Sequence, residues 1–194
     1  EITPVSLVNK KQTVSIEHDQ QPLSANPEKI PTLPAAFVKD GTITAANASS
    51  ISDGAAALVM MSPSKAQQQG LKPIALIHEY DQAAHQPEWF TTAPVTAIEK
   101  TLQRVGWKVE EIDLWEINEA FAVVPMAAMH ELGIAHEKVN INGGACALGH
   151  PIGASGARII VSLIHALRHT NGSRGVASLC IGGGEATAVA LELI

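Results

Sequence analysis

The pattern of apolar and polar positions divides the chain near residue 70. Five prolines interrupt the polar stretch over residues 1–40, which argues against a long periodic element or an independent core there, so we expect a linker or an arm. Residues 42–47 have the composition of a strand, and the continuous apolar run at 55–61 is typical of a buried strand. A two-turn helix is predicted over 62–70, because a serine–proline pair opens that segment and a glycine ends it.

Beyond residue 73, strands and helices alternate. The periodicities predict the order β-α-β-α-β-α-β-β, with strands at 74–77, 112–117, 139–141, 175–181 and 186–193 and helices at 92–106, 119–132 and 155–169. Helices that alternate with strands favour a mostly parallel sheet with helices on both faces. The last two strands are joined too tightly for a crossover, so that pair is expected to be antiparallel. The sequence therefore predicts an α/β fold with a five-stranded mixed sheet.

Composition narrows the possible functions. Of 194 residues, 46% are hydrophobic and 16% are charged, which is enough apolar material for a sizeable core. The net charge of −6 argues against binding to a nucleic-acid backbone, although a local basic patch for a small anion stays open. Two cysteines cannot form a disulfide scaffold, and no cysteine–histidine cluster has zinc spacing. The first ten residues lack a signal-peptide pattern, and five glycines interrupt the longest charge-free run, 139–157. We expect a cytoplasmic globular protein without nucleic-acid, membrane or metal partners.

Three segments with chemically unusual residues follow predicted strands, where open α/β sheets usually carry their sites. In the first, Asn118 is either the cap of the next helix or an amide that orients a water or a substrate oxygen. Glu119 would sit in the first turn of that helix and needs no role beyond favouring the helix dipole. The second segment is a glycine-rich loop, 142–156, that carries His150 and lacks phosphate-loop and dinucleotide spacing. His150 lies between glycine and proline, which favours a chemical role, whereas Cys146 is favoured as a small buried hydrophobe.

The third segment places Cys180 directly before Ile181 and three glycines. The thiol could act as an acid, a base or a nucleophile, with glycine N–H groups as donors to a developing oxyanion. A buried strand cysteine followed by a tight turn is an equally open interpretation. Together, a cysteine, a histidine and an asparagine with glycine backbone donors indicate acyl transfer through thioesters.

The same three segments resemble the C-terminal signatures of the thiolase family: Asn118-Glu-Ala-Phe-Ala, the loop from Asn142-Gly-Gly to Gly-His150-Pro-Ile-Gly-Ala-Ser-Gly, and Cys180-Ile-Gly-Gly-Gly. The stretch Asn47-Ala-Ser-Ser-Ile-Ser-Asp-Gly resembles the segment that ends the family's N-terminal domain. The resemblance covers essentially the whole chain. It implies a transferase that cleaves 3-ketoacyl-CoA with coenzyme A or condenses two acetyl-CoA molecules. Acyl-CoA and CoA would be substrates, with no other cofactor, in a homo-oligomer (a dimer or a tetramer).

The resemblance also implies roles for individual residues. His150 would activate a nucleophilic cysteine and help bind the thioester oxygen. Cys180 would be the acid/base that takes the proton of the incoming CoA thiol or of the acetyl methyl group. Asn118 would hold a water that completes one oxyanion hole, and the Gly182 N–H would donate in the other. The pantetheine and acyl pocket would be lined by Ala120 and Phe121.

The sequence departs from the family pattern in one respect. The family's acylated cysteine lies in its N-terminal half, in a segment that these 194 residues do not contain. Residues 1–70 would then be the tail of the loop domain and the last piece of the N-terminal domain, and residues 71–194 the C-terminal domain. We expect half an active site, no activity of this chain alone, and exposed apolar surface around 55–61.

Two alternatives stay open. One is a non-catalytic module that binds CoA thioesters or a partner subunit. The other is a decarboxylating enzyme of the related ketoacyl-synthase group. A resemblance to that group would imply a pair of catalytic histidines, and Cys180 in its Cys-x-Gly-Gly-Gly context argues against it.

Overall fold

The computed structural model describes residues 1–9 and 12–194. The strands in these ranges are β1 (Val5–Asn9), β2 (Gln12–Ile16), β3 (Ala75–Ala84), β4 (Leu114–Ile117), β5 (Arg174–Cys180) and β6 (Glu185–Leu193). The α-helices are α1 (Gln20–Ser24), α2 (Pro63–Gln68), α3 (Ala93–Val105), α4 (Val123–Leu132), α5 (Ala145–Leu148) and α6 (Ser155–Thr170).

The main sheet is mixed, as predicted, and has the strand order β3-β6-β5-β4. β4 and β5 pair in parallel. β6 lies between β3 and β5 and runs antiparallel to both, which confirms the predicted antiparallel pair at the end of the chain. Since β3 therefore runs in the same direction as β4 and β5, only β6 opposes the common direction among these strands.

The predicted fifth strand at 139–141 is reduced to one bridge between Trp115 and Val139. Asn140 stops the strand because its backbone turns into the left-handed region, with φ at 48°. Its side-chain amide then takes over the pairing with β4: Oδ1 accepts from the Ile117 N–H and Nδ2 donates to the Ile117 carbonyl, both at 2.8 Å. The main sheet therefore has four strands, and the prediction of a fifth strand at 139–141 is wrong.

Helices cover both faces of the sheet, as predicted for an α/β fold. Alternate residues of β4 point to opposite faces, so Trp115 and Ile117 join the core under α3 and α4. Leu114 faces the other way, into a second core under α6. The carboxyl ends of β4 and β5 consequently meet at one edge, between two packed layers.

Before α2, the residues that the structure describes form no core of their own. The β1–β2 hairpin is largely exposed, in agreement with the predicted arm. The predicted strands at 42–47 and 55–61 are wrong, because neither run joins a ladder among the described residues. The second run is not a buried strand, and its exposure, with Val59 at 90% and Met60 at 67% of full accessibility, confirms the exposed apolar surface expected around 55–61.

Membrane-spanning helices and metal-binding clusters are both absent from the described residues. None of the helices in this part of the chain is long and apolar enough to cross a membrane. Within the same ranges, no group of three or more histidine, cysteine, aspartate or glutamate side chains is arranged to hold a metal ion.

Candidate functional site

Asn118 is not a helix cap, because α4 begins only at Val123. Pro125 explains the late start. In a helix from residue 119 its ring would clash with the carbonyl four residues back, whereas in the first turn of α4 it replaces an N–H that needs no partner. Residues 118–122 are therefore a loop with its own contacts.

Residues 47–50 form backbone hydrogen bonds both to the 118–122 loop and to the glycine-rich loop that carries His150. The N–H of Ser49 donates to the Ala120 carbonyl at 3.0 Å, and the N–H of Ala122 donates to the Asn47 carbonyl at 2.9 Å. On the other side, the His150 N–H donates to the Ser50 carbonyl at 2.8 Å. These bonds are made by backbone groups of distant residues, so sequence periodicity offered no signal for them.

The side chains of Asn118 and His150 meet at the carboxyl end of β4. Nδ2 of Asn118 lies 3.4 Å from Nε2 of His150, and Asn118 is 1% exposed. Oδ1 of Asn118 is buried and has no partner within the described residues, which is unusual for a buried polar atom. Burial, together with the nearby positive charge of Arg158, lowers the pKa of His150. The imidazole is therefore mainly neutral near pH 7 and can accept a proton.

Glu119 holds the glycine-rich loop against the end of β4, a role that the sequence prediction missed by placing it in a helix. Its carboxylate accepts from Nδ2 of Asn140 at 2.8 Å and from the N–H of Cys146 at 3.1 Å. A Cβ on Gly144 would lie 2.2 Å from the Glu119 carboxyl carbon, so a side chain there would displace this carboxylate. The loop that carries His150 is thus anchored by partly buried hydrogen bonds to a carboxylate.

Cys180 is the last residue of β5 and is buried in the core under α3. Burial raises the pKa of its thiol to about 11, so the resting group is the neutral thiol. A tight turn follows, in which the N–H of Gly184 donates to the Ile181 carbonyl at 3.0 Å. Cys180 is therefore a buried strand cysteine followed by a tight turn, as one of the two interpretations expected. Gly182, at the tip of that turn, is exposed.

The two predicted pocket residues and the second cysteine have structural contacts of their own. Ala120 packs against the core, and the Phe121 ring lies 6.2 Å from that of Phe90 and 5.9 Å from that of Phe37. The thiol of Cys146 donates to the Glu119 carbonyl at 3.7 Å. Burial and the Glu119 charge raise the pKa of that thiol to about 12.

A contact between a buried carboxyl group and a guanidinium group lies on the α6 side of the site. Oε2 of Glu116 is 3.3 Å from Nη1 of Arg158, and Glu116 is 2% exposed. Burial raises the pKa of this carboxyl from 4.5 to about 8, even though Arg158 opposes the shift.

Because the folded-state pKa of Glu116 exceeds the unfolded value, its contribution to stability is complete below about pH 4.5 and is lost as the pH rises through 8. Glu116→Gln keeps the shape of the neutral form and removes this titration. Between pH 5 and pH 8, the free energy of unfolding of the variant should gain on that of the parent by up to about 1.4 kcal/mol per pH unit. Urea titrations across this range, with the exposed Glu99→Gln on α3 as control, measure the difference. Parallel curves for all three proteins would contradict the prediction.

The fold and the site define an α/β protein in which a buried amide contacts a half-buried imidazole, with a thiol nearby at the carboxyl end of the neighbouring parallel strand. The chain belongs to the thiolase family: the model described as "Thiolase, C-terminal domain" matches residues 71–193, and "Thiolase, N-terminal domain" matches residues 1–64.

Individual relatives agree with this assignment. The chain is 46% identical over 195 residues to the cytosolic acetyl-CoA acetyltransferase of Mus musculus, covering 99% of this chain and 49% of the relative. The acetyl-CoA acetyltransferase of Bacillus anthracis superposes with a TM-score of 0.94 at 45% identity, over 100% of this chain and 49% of that one. Human mitochondrial 3-ketoacyl-CoA thiolase in complex with CoA gives a TM-score of 0.88 at 38% identity, over 98% of this chain and 48% of that one. The chain therefore spans about half the length of the relatives it matches.

Proposed function

We propose that the protein carrying this chain transfers acyl groups to and from coenzyme A, by cleaving 3-ketoacyl-CoA or by condensing two acetyl-CoA molecules. The observation that carries the proposal is the contact between the buried Asn118 amide and a neutral His150, on the same sheet edge as Cys180. The names of the mouse and Bacillus anthracis relatives support this reaction class.

In this proposal His150 takes the proton of a nucleophilic cysteine in the other half of the protein. The resulting thiolate attacks the keto carbon of 3-ketoacyl-CoA, the Cα–Cβ bond breaks, and an acyl-enzyme and the enolate of acetyl-CoA form. Cys180, a neutral thiol at rest, gives its proton to the enolate. The Cys180 thiolate then takes the proton of the incoming CoA thiol, and the resulting CoA thiolate attacks the acyl-enzyme. The nucleophilic cysteine leaves as a thiolate and takes its proton back from His150.

The oxyanions in these steps need donors. Oδ1 of Asn118, buried and without a partner in the described chain, is suited to hold a water that donates to one of them. The N–H of Gly182, an exposed residue at the tip of the turn after β5, would donate to the other. We assign Ala120 and Phe121 to the wall of the pantetheine and acyl pocket, since they lie on the loop that begins with Asn118.

Further parts of the proposal rest on the family alone. Acyl-CoA and CoA are its substrates and no other cofactor takes part; the human relative was solved with CoA. We propose a homo-oligomer, either a dimer or a tetramer, and a boundary near residue 70 between the N-terminal remnant and the C-terminal domain. A cytoplasmic location is supported by the mouse relative, which is more similar to this chain than the mitochondrial human one.

A polypeptide limited to these 194 residues has a different proposed behaviour. Its two thiols, Cys146 and Cys180, both have pKa values raised far above neutral pH, so neither is a ready nucleophile. This observation favours the alternative of a module that binds CoA thioesters or a subunit without turning substrate over.

The first experiment is the intact mass of the natural protein, followed by its assay with acetoacetyl-CoA and CoA. A mass near 40 kDa, about twice the 20.4 kDa of these residues, leads directly to the assay. With a mass of 20.4 kDa, the assay uses a chimera in which residues 1–194 replace the matched half of the Bacillus anthracis enzyme. Release of acetyl-CoA supports the proposal. Saturable CoA binding without turnover in a folded two-half protein favours the binding module instead.

A further inference from the structure

Ser155 lies behind His150, on the side of the ring that faces away from Asn118. It is the first residue of α6 and is 1% exposed. Its Oγ lies 2.6 Å from Nδ1 of His150 and 3.2 Å from the carbonyl oxygen of Pro151. The hydroxyl is thus enclosed between one ring nitrogen and one oxygen that can only accept.

One order of the protons gives every donor among these groups an acceptor. A serine hydroxyl has one proton, and the Pro151 carbonyl has none to give. If the hydroxyl donates to Pro151, its lone pairs are left to accept from a proton on Nδ1 of His150. Nε2 then carries a lone pair, which matches the Nδ2 donor of Asn118 that faces it at 3.4 Å.

We propose that Ser155 is a positioning residue that holds His150 in the tautomer with the proton on Nδ1 and the basic lone pair on Nε2. The chain of bonds runs from Asn118 to Nε2 and from Nδ1 through Ser155 to Pro151. Nε2 is the nitrogen on the Asn118 side, where the proposed function requires a base. A histidine tautomer is set by the bond that the other ring nitrogen makes, so the hydroxyl selects which nitrogen can accept a proton.

The opposite order is chemically possible and gives a different outcome. If Ser155 donated to Nδ1, the proton of the neutral ring would be on Nε2 and would point at the Asn118 amide. Nδ1, whose lone pair is then occupied by the hydroxyl, could not act as a base. The two orders are distinguished by which ring nitrogen is protonated, which can be measured without substrate.

The test is ¹⁵N NMR of the natural protein labelled in its histidine rings, with His150→Gln to identify the signals of that ring among eight histidines. Above the His150 pKa we expect Nδ1 to have the protonated, pyrrole-type shift and Nε2 the unprotonated, pyridine-type shift. Ser155→Ala should redistribute the proton over both nitrogens. Ser162→Ala, a buried serine on the same helix that contacts Arg158, should leave the tautomer unchanged. A parent protein with the proton on Nε2 would overturn the proposal even if the alanine variant failed to fold.

The kinetic consequence rests on the proposed function and is measured separately. Ser155→Ala should lower kcat/KM for thiolysis by about 10-fold or more, mostly through kcat, since a wrong tautomer removes the base and not the binding surface. Ser155→Thr, which keeps a hydroxyl, should recover most of the rate. A parent protein with the expected tautomer and no thiolysis would contradict the proposed function and leave the tautomer assignment standing. Unchanged kcat in an Ser155→Ala variant with altered ring shifts would refute the positioning role.

Discussion

Cys180→Ser is expected to lower kcat/KM for thiolysis of acetoacetyl-CoA by about 10²- to 10⁴-fold in the protein identified by the mass measurement. The thiol of Cys180 is buried and has a pKa of about 11, so it can give a proton to an enolate and recover one from a CoA thiol. A serine hydroxyl in the same place is a much weaker acid and cannot exchange that proton at a useful rate. Substrate binding should change little, because serine and cysteine side chains differ only in having an oxygen or a sulfur atom on Cβ.

Cys146→Ser is the matched control, since it makes the same chemical change at the chain's other cysteine. The Cys146 thiol contacts the Glu119 carbonyl, a bond that a hydroxyl also makes. Thiolysis by this variant should stay within about threefold of the parent. Equal losses in the two variants, or a Cys180→Ser enzyme of near-parental rate, would remove Cys180 from the acid/base role.

The sequence predicted those parts of the fold that depend on local patterns. The short link between β5 and β6 could only join antiparallel strands, and the apolar stripe of α6 fixed its extent and its buried face. Local composition was misleading at 55–61, because an apolar run is buried only where a partner covers it. At Asn140, one residue in a left-handed conformation ended a strand that composition favoured.

The sequence also predicted part of the site and missed other parts of it. Asn118 stood out because it directly follows a strand, and His150 because it lies between glycine and proline in a glycine-rich loop; the structure brings their side chains together. Glu119 was missed because a helix starting at 119 was assumed, while Pro125 delays that helix to residue 123. The backbone bonds from Ser50 to His150 were missed because a carbonyl has no sequence signature.

Gly184→Ala is expected to lower the free energy of unfolding by about 3–5 kcal/mol, a large part of the stability of a typical domain. Gly184 has φ at 101°, where a residue with a Cβ is strained, and that Cβ would lie 2.1 Å from the His85 carbonyl oxygen. The obstacle is backbone, and the His85 N–H also donates to the Gly184 carbonyl at 3.0 Å. Neither strand end can move aside without breaking this bond between the continuations of β3 and β6.

Gly182→Ala is the control in the same turn, because a Cβ there meets nothing within 4 Å, and it should change stability by less than about 0.5 kcal/mol. Urea denaturation of the two variants measures the difference, and equal midpoints would show that the turn relaxes around Gly184.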